Sequence, residues 1–269
     1  MQLHDSTVGP SIQQAAEIIF FLLTYDSRAF KPMADPLTDE LKTLISSIQA
    51  TAHKPKSMEN QIIAFVQTVQ AFSIVEKLEY MWLDANGSQG PVILDYIKRV
   101  TLEVSIARSN MIHPSRPITV KDCCIFDIDG TLLHDDCSVL SSAVLPEMAA
   151  WMLDLQVLGY SIILLTARTT PHPLLNEMLV AKGIRIHRYI CVPSSTYDGC
   201  MTASKRLERS KSAKKQARIR LRVENYNICL TVGNRLGDLE DVGNRYLLPE
   251  RCMPRSSDGN TSWSSSPQA

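Results

Sequence analysis

The sequence predicts an α/β protein, a Rossmann-like parallel sheet flanked by helices and preceded by an all-α region. From Ile118 onward, short apolar segments alternate with helical ones, the order expected of a parallel sheet. Up to residue 116, apolar residues recur at three- and four-residue steps, the helical period. The first apolar segment after the change, Cys123-Cys124-Ile125-Phe126, ends in Asp127-Ile128-Asp129-Gly130-Thr131. That places two acids and a glycine turn where an open parallel sheet presents ligands.

In the first part, helical spacing runs through residues 12–24, 37–48, 59–83 and 92–106. Lys31-Pro32, Asp35-Pro36, Lys54-Pro55 and the Gly87 to Pro91 cluster read as breaks between them. Ser57-Met58-Glu59-Asn60-Gln61 resembles a helix start. Residues 1–116 form one expected unit, with isolated His4, His53 and His113 read as surface or core side chains. The stretch His113-Pro114-Ser115-Arg116-Pro117 reads as a linker. Residues 117–250 form the expected α/β domain, with strands at 123–126, 161–165, 188–192 and 228–232. Its helices fall at 144–158, 174–182 and 202–222. Residues 251–269 are rich in Ser, Pro, Asn and Gly and read as a disordered tail.

Composition excludes little beyond a membrane span. Of 269 residues, 45% are hydrophobic, and Lys+Arg and Asp+Glu both number 28, so charge singles out no polyanionic or acidic partner. The apolar run from Ala15 to Tyr25 is too short to cross a bilayer and contains Glu17. No signal peptide is readable, and nucleic acid is not an expected partner. Seven cysteines is an odd count, and Cys123, Cys124, Cys191 and Cys229 fall in expected buried strands. That favours reduced thiols and a cytoplasmic setting over a disulfide framework.

Side chains alternate along an extended chain, so Asp127 and Asp129 point to the same side of the strand end. Gly130 permits a tight turn whose bare amides suit an anion. Paired acids beside such a turn suit phosphoryl chemistry. The string D-I-D-G-T-L-L resembles motif I of the haloacid dehalogenase superfamily, whose phosphatases use the first Asp as nucleophile. Leu164-Leu165-Thr166-Ala167-Arg168, with Leu179 and Lys182-Gly183-Ile184 downstream, is similar to motif II of its acid-phosphatase-like members.

The segment from Lys205 to Arg222 holds nine Lys/Arg and one Glu, for the most part a solvated face. Leu207, Ser210, Lys214, Ala217 and Leu221 form one stripe, read as inward. Lys214 puts a cation into that stripe, and a buried charge needs a partner. Lys214 with Arg218 resembles the Lys-x-x-x-Arg segment of class III acid phosphatases; Lys211 and Lys215 are the alternatives. Finally, Gly233-Asn234-Arg235-Leu236-Gly237-Asp238-Leu239 resembles the family's Gly-Asp-x-x-x-Asp-Leu, with Asn234 in place of the first Asp. A second register uses Gly237-Asp238-Leu239-Glu240-Asp241.

The resemblance spans about residues 120–244. It implies an Mg²⁺-dependent phosphomonoesterase in which Asp127 attacks phosphorus and Asp129 acts as acid, then base. It implies phosphate contacts from Thr166, Lys214 and the amides about Gly130. The ion would be held by Asp127, Asp238, Asn234 and the main-chain carbonyl of Asp129. The motif intervals imply no inserted cap, so either large substrates reach the site or the N-terminal helices lie over it. His134, Asp135 and Asp136 flank motif I; His134, His172 and His187 read as solvated loop residues. Two alternatives remain, an impaired member of the fold serving as an interaction module through its helices, and a nucleic-acid end phosphatase.

Overall fold

A computed structural model describes residues 11–24, 31–53, 57–109, 116–133, 144–200, 202–239 and 245–247. His4, His113, His134, Asp135, Asp136, Glu240, Asp241 and the expected tail at 251–269 lie outside these residues.

Four helices come first: α1 (Ile12–Thr24), α2 (Lys31–Ala52), α3 (Met58–Asn86) and α4 (Gly90–Ser109). α3 opens on Ser57, whose hydroxyl accepts from the Asn60 amide at 3.2 Å, the capping bond its sequence invites. The proline pairs do not break α2, which starts at Lys31 and runs through Pro36. Pro32 falls in the first turn, where amides have no intrahelical partner anyway. Pro36 costs a single backbone bond that packing of Leu41 and Ile45 offsets.

Then follow β1 (Asp122–Phe126), α5 (Pro146–Val157), β2 (Ser161–Thr166), α6 (Leu175–Ala181), β3 (Arg188–Cys191), α7 (Ala203–Val223), β4 (Asn227–Gly233) and β5 (Arg245–Leu247). Among the described residues the five strands are parallel, in the order β3-β2-β1-β4-β5, a Rossmann-like arrangement. β5 carries too few apolar residues to have been read as a strand; pairing with the end of β4 makes it one.

Side-chain alternation along β1 and β2 feeds two cores. Cys124, Phe126, Ile162 and Leu164 join α5, α6 and the N-terminal helices in one cluster, with Phe126 edge-on to Trp151 at 6.1 Å. Cys123, Ile125, Ile163 and Leu165 face the other way, onto Leu221 of α7. α1 and α4 pack against α5. Arg108 of α4 binds Glu147 and, at 2.8 Å, Asp154, both on α5.

All five cysteines among the described residues are free; Cys191 and Cys229, expected to be buried, are only half-buried because β3 and the start of β4 are thinly covered. No described helix is long and apolar enough to cross a membrane.

Candidate active site

The chain leaves β1 toward β2 and β3, then returns to β4 on β1's other side. The carboxyl ends of β1 and β4 therefore flank the topological switch point, where such sheets bind ligands. Asp127 follows β1 directly, its amide donating to Val232 of β4 at 3.0 Å. Asn234 and Asp238 follow β4, and Thr166 ends β2.

Lys214 joins these ends. Its Nζ donates to Asp127 Oδ1 at 2.8 Å and to Asp238 Oδ1 at 2.6 Å, with all three side chains at least nine-tenths buried. α7 delivers it from beneath the sheet, on the stripe the spacing predicts. Ser210, Lys214 and Leu221 are buried there, but Leu207 is exposed, and Arg218 takes an inward place instead. Arg218 donates to the carbonyls of Asp238 (3.1 Å) and Gly237 (3.4 Å), fixing the loop that carries Asp238. Lys211 and Lys215 are exposed, so Lys214 is the lysine that the fold brings to the acids.

Burial pushes the Asp127 carboxyl up to about 6, Lys214 opposing this and Asp238 adding to it. Burial also disfavours the Lys214 ammonium, yet Asp127 and Asp238 together raise its pKa above the usual lysine value. The asymmetry follows from one cation between two anions. The cation is well satisfied, and each acid only half so.

The turn after Asp127 spends its amides internally. Gly130 donates to the Leu133 carbonyl (2.9 Å), while Thr131, Leu132 and Leu133 all donate to Ile128. The expectation that Gly130 offers its own amide to an anion is thus corrected; the amides of Ile128 and Asp129 are not part of that network. Gly130 matters for another reason. Its φ is +74°, and a Cβ there would meet Asn234 Nδ2 at 2.1 Å. Gly233 likewise makes room for Asp238, whose Cβ would lie 2.6 Å from an added methyl.

Thr166 is fully buried; its Oγ1 accepts the Arg168 amide at 3.2 Å, which leaves its hydrogen to donate. Asp129 turns toward Arg168, whose Nε donates to both of its carboxylate oxygens at 3.0 Å. Arg168 was visible only as part of a motif, since its partner lies 39 residues away. His172, expected to be solvated, is 2% exposed; its main-chain amide donates to the Tyr189 hydroxyl at 2.9 Å, and its Nδ1 accepts the Leu174 amide. His187 is exposed, bonded to the Tyr226 hydroxyl at 2.7 Å.

Asn234 Oδ1 and Asp238 Oδ2 are buried and have no hydrogen-bond partner among the described residues. Buried acceptors without donors suit a hard, oxygen-ligated cation, so with the Asp127 carboxylate they fit Mg²⁺. No described group of three or more His, Cys, Asp or Glu is arranged to hold a metal. Two of the expected ligands bring no acid side chain to such a group: Asp129 was to offer its main-chain carbonyl, and Asn234 supplies an amide. No protein-family model and no curated protein matches the chain.

Proposed function

We propose that the protein is a phosphomonoesterase of the haloacid dehalogenase type, working through an aspartyl-phosphate on Asp127. The observation that supports this best is Lys214 lying between Asp127 and Asp238, with Thr166 on the adjacent strand end. A nucleophilic carboxylate, a cation and a hydroxyl donor thereby stand at neighbouring strand ends. The interval from Thr166 to Lys214 is occupied by α6, β3 and half of α7, which agrees with a capless enzyme.

In the first half-reaction a carboxylate oxygen of Asp127 attacks phosphorus. The bond to the ester oxygen breaks with its electron pair, and that oxygen takes a proton from Asp129. In the second, water attacks phosphorus, gives a proton to Asp129, and releases Asp127 with inorganic phosphate. Lys214, Thr166 and the Ile128 and Asp129 amides balance charge on the phosphoryl oxygens, the largest part of such catalysis. Asp127, Asp238, Asn234 and the Asp129 carbonyl would hold Mg²⁺, which supplies further positive charge to those oxygens.

The exposed apolar side chains of α3, among them Met58, Ile62, Phe65 and Val69, favour a second role in protein contact. Assaying aryl-phosphate hydrolysis with Mg²⁺ on wild type, Asp127→Asn and Asn234→Asp separates the two. Wild-type turnover lost in Asp127→Asn supports the enzyme; turnover appearing only in Asn234→Asp supports an impaired fold kept for binding.

A further inference from the structure

A general acid must carry a proton, whereas the Asp129 carboxylate accepts at both oxygens from Arg168. Arg168 Nη2 adds another bond to Oδ1. This pair lies nearer the surface than the Lys214 pair. The Arg168 and Asp129 side chains are 20% and 23% exposed, against 5% and 7% for Lys214 and Asp127. An anion arriving with the substrate can therefore reach the guanidinium, whose planar fork matches carboxylate and phosphate alike.

A second donor follows four residues later in the loop after β2. His172 Nδ1 accepts the Leu174 amide at 3.3 Å, so the neutral ring carries its hydrogen on Nε2. That Nε2 is buried and has no hydrogen-bond partner among the described residues. Burial, then the charge of Arg168, lowers the ring's pKa from the ordinary histidine value, with Asp129 opposing them. A buried N–H without an acceptor is costly, which argues for a ligand that completes it.

We propose that Arg168 and His172 form a subsite for a second oxyanion on the substrate, close to the ester oxygen. This rests on the phosphomonoesterase reading and narrows its substrates to phosphomonoesters with a carboxylate or a further phosphate next to the leaving group. That anion draws Arg168 away from Asp129. That leaves the Asp129 carboxyl facing the leaving oxygen in the acid role proposed above. Esters without the second anion leave Arg168 closed on Asp129.

The test uses the full chain with Mg²⁺ and two probes matched in their two-carbon leaving groups, phosphoglycolate and 2-hydroxyethyl phosphate. Ethylene glycol bisphosphate distinguishes a second phosphate from a carboxylate. Wild type is expected to favour an anion-bearing probe by about tenfold or more in kcat/KM, with part of the gain in kcat. Arg168→Gln should bring the ratio to within about twofold, and Arg168→Lys, which keeps charge but loses the fork, should fall between. Equal handling by wild type, or a preference that survives in Arg168→Gln, overturns the subsite. If wild type hydrolyses neither these probes nor an aryl phosphate, the phosphatase reading itself fails. Calorimetric titration of the same probes into Asp127→Asn, with and without Arg168→Gln, then decides. Tighter binding of an anion-bearing probe that depends on Arg168 supports the subsite, and equal binding overturns it.

Discussion

Lys214 meets Asp238 at 2.6 Å, closer than the 2.8 Å at which it meets Asp127, although 24 residues separate the first pair and 87 the second. One ammonium thus holds two buried carboxylates together at the ends of β1 and β4. Removing it leaves like charges side by side without water. Lys214→Met should cost about 3–5 kcal/mol at pH 8, the usual penalty for stripping one partner from a buried ion pair. Lowering the pH to 5 should recover much of the loss, because protonation removes the repulsion. Denaturant midpoints at the two pH values measure both effects, and equal losses at both would contradict the shared-cation arrangement.

The raised pKa of Asp127 fixes a direction for pH dependence. Its folded value of about 6 exceeds the ordinary 3.8, so between these values the native state binds a proton that the unfolded chain releases. Asp127 therefore contributes stability that is fully present below about 3.8 and is lost as pH rises through 6. Asp127→Asn should remove that slope from a stability–pH profile and leave the protein at least as stable at neutral pH. Because the nucleophile must be ionised, kcat/KM of wild type should rise with pH as Asp127 deprotonates, and Mg²⁺ on the same carboxylate should draw that rise to lower pH. A rate that falls on raising the pH from 5 to 7 would exclude Asp127 as that nucleophile.

Asn234 sits where a third acid would complete the cation site. Its Oδ1 and Asp238 Oδ2 already lack partners among the described residues. Asn234→Asp should tighten Mg²⁺ binding by about tenfold, since affinity follows the number of charged ligands. Without the ion the same variant should melt earlier, because the new carboxylate has no cation of its own; added Mg²⁺ should more than restore it. Thermal melts across an Mg²⁺ titration would show both signs, and a melting point insensitive to Mg²⁺ would argue against the site.

Gly130 carries two constraints at one position, φ of +74° and Asn234 Nδ2 only 2.1 Å from any added Cβ. Gly130→Ala should cost about 1–3 kcal/mol in backbone strain alone. It should also displace Asn234, so Mg²⁺ affinity should fall with stability. Measured together by urea unfolding and metal titration, a loss of one without the other would separate the turn from the cation site.

Arg108→Ala tests the union of the helical part with the sheet. Glu147 is 4% exposed, and Arg108 bonds it while reaching Asp154. The substitution leaves that buried carboxylate without its cation and should cost about 1–3 kcal/mol. Unfolding should remain a single transition if α1, α4 and α5 share one core, as their common hydrophobic cluster implies.

Much of this was readable in the residues alone. β1 and its Asp127-Ile128-Asp129-Gly130-Thr131 ending, the four helices before it, and Lys214 as the charged member of an inward stripe all follow from local spacing. Local spacing has a physical basis, since 3.6- and two-residue periods decide which side chains share a face. It misled where a neighbour distant in sequence overrode it. Pro36 stays inside α2 because Leu41 and Ile45 are packed. Leu207 gives its inward place to Arg218, which finds the Gly237 and Asp238 carbonyls. Only the tertiary structure decided that Arg168 holds Asp129, that His172 is buried, and that Lys214 is shared. The first and last of these depend on charges separated by tens of residues meeting at hydrogen-bond distance, and such meetings leave no periodic trace in the chain.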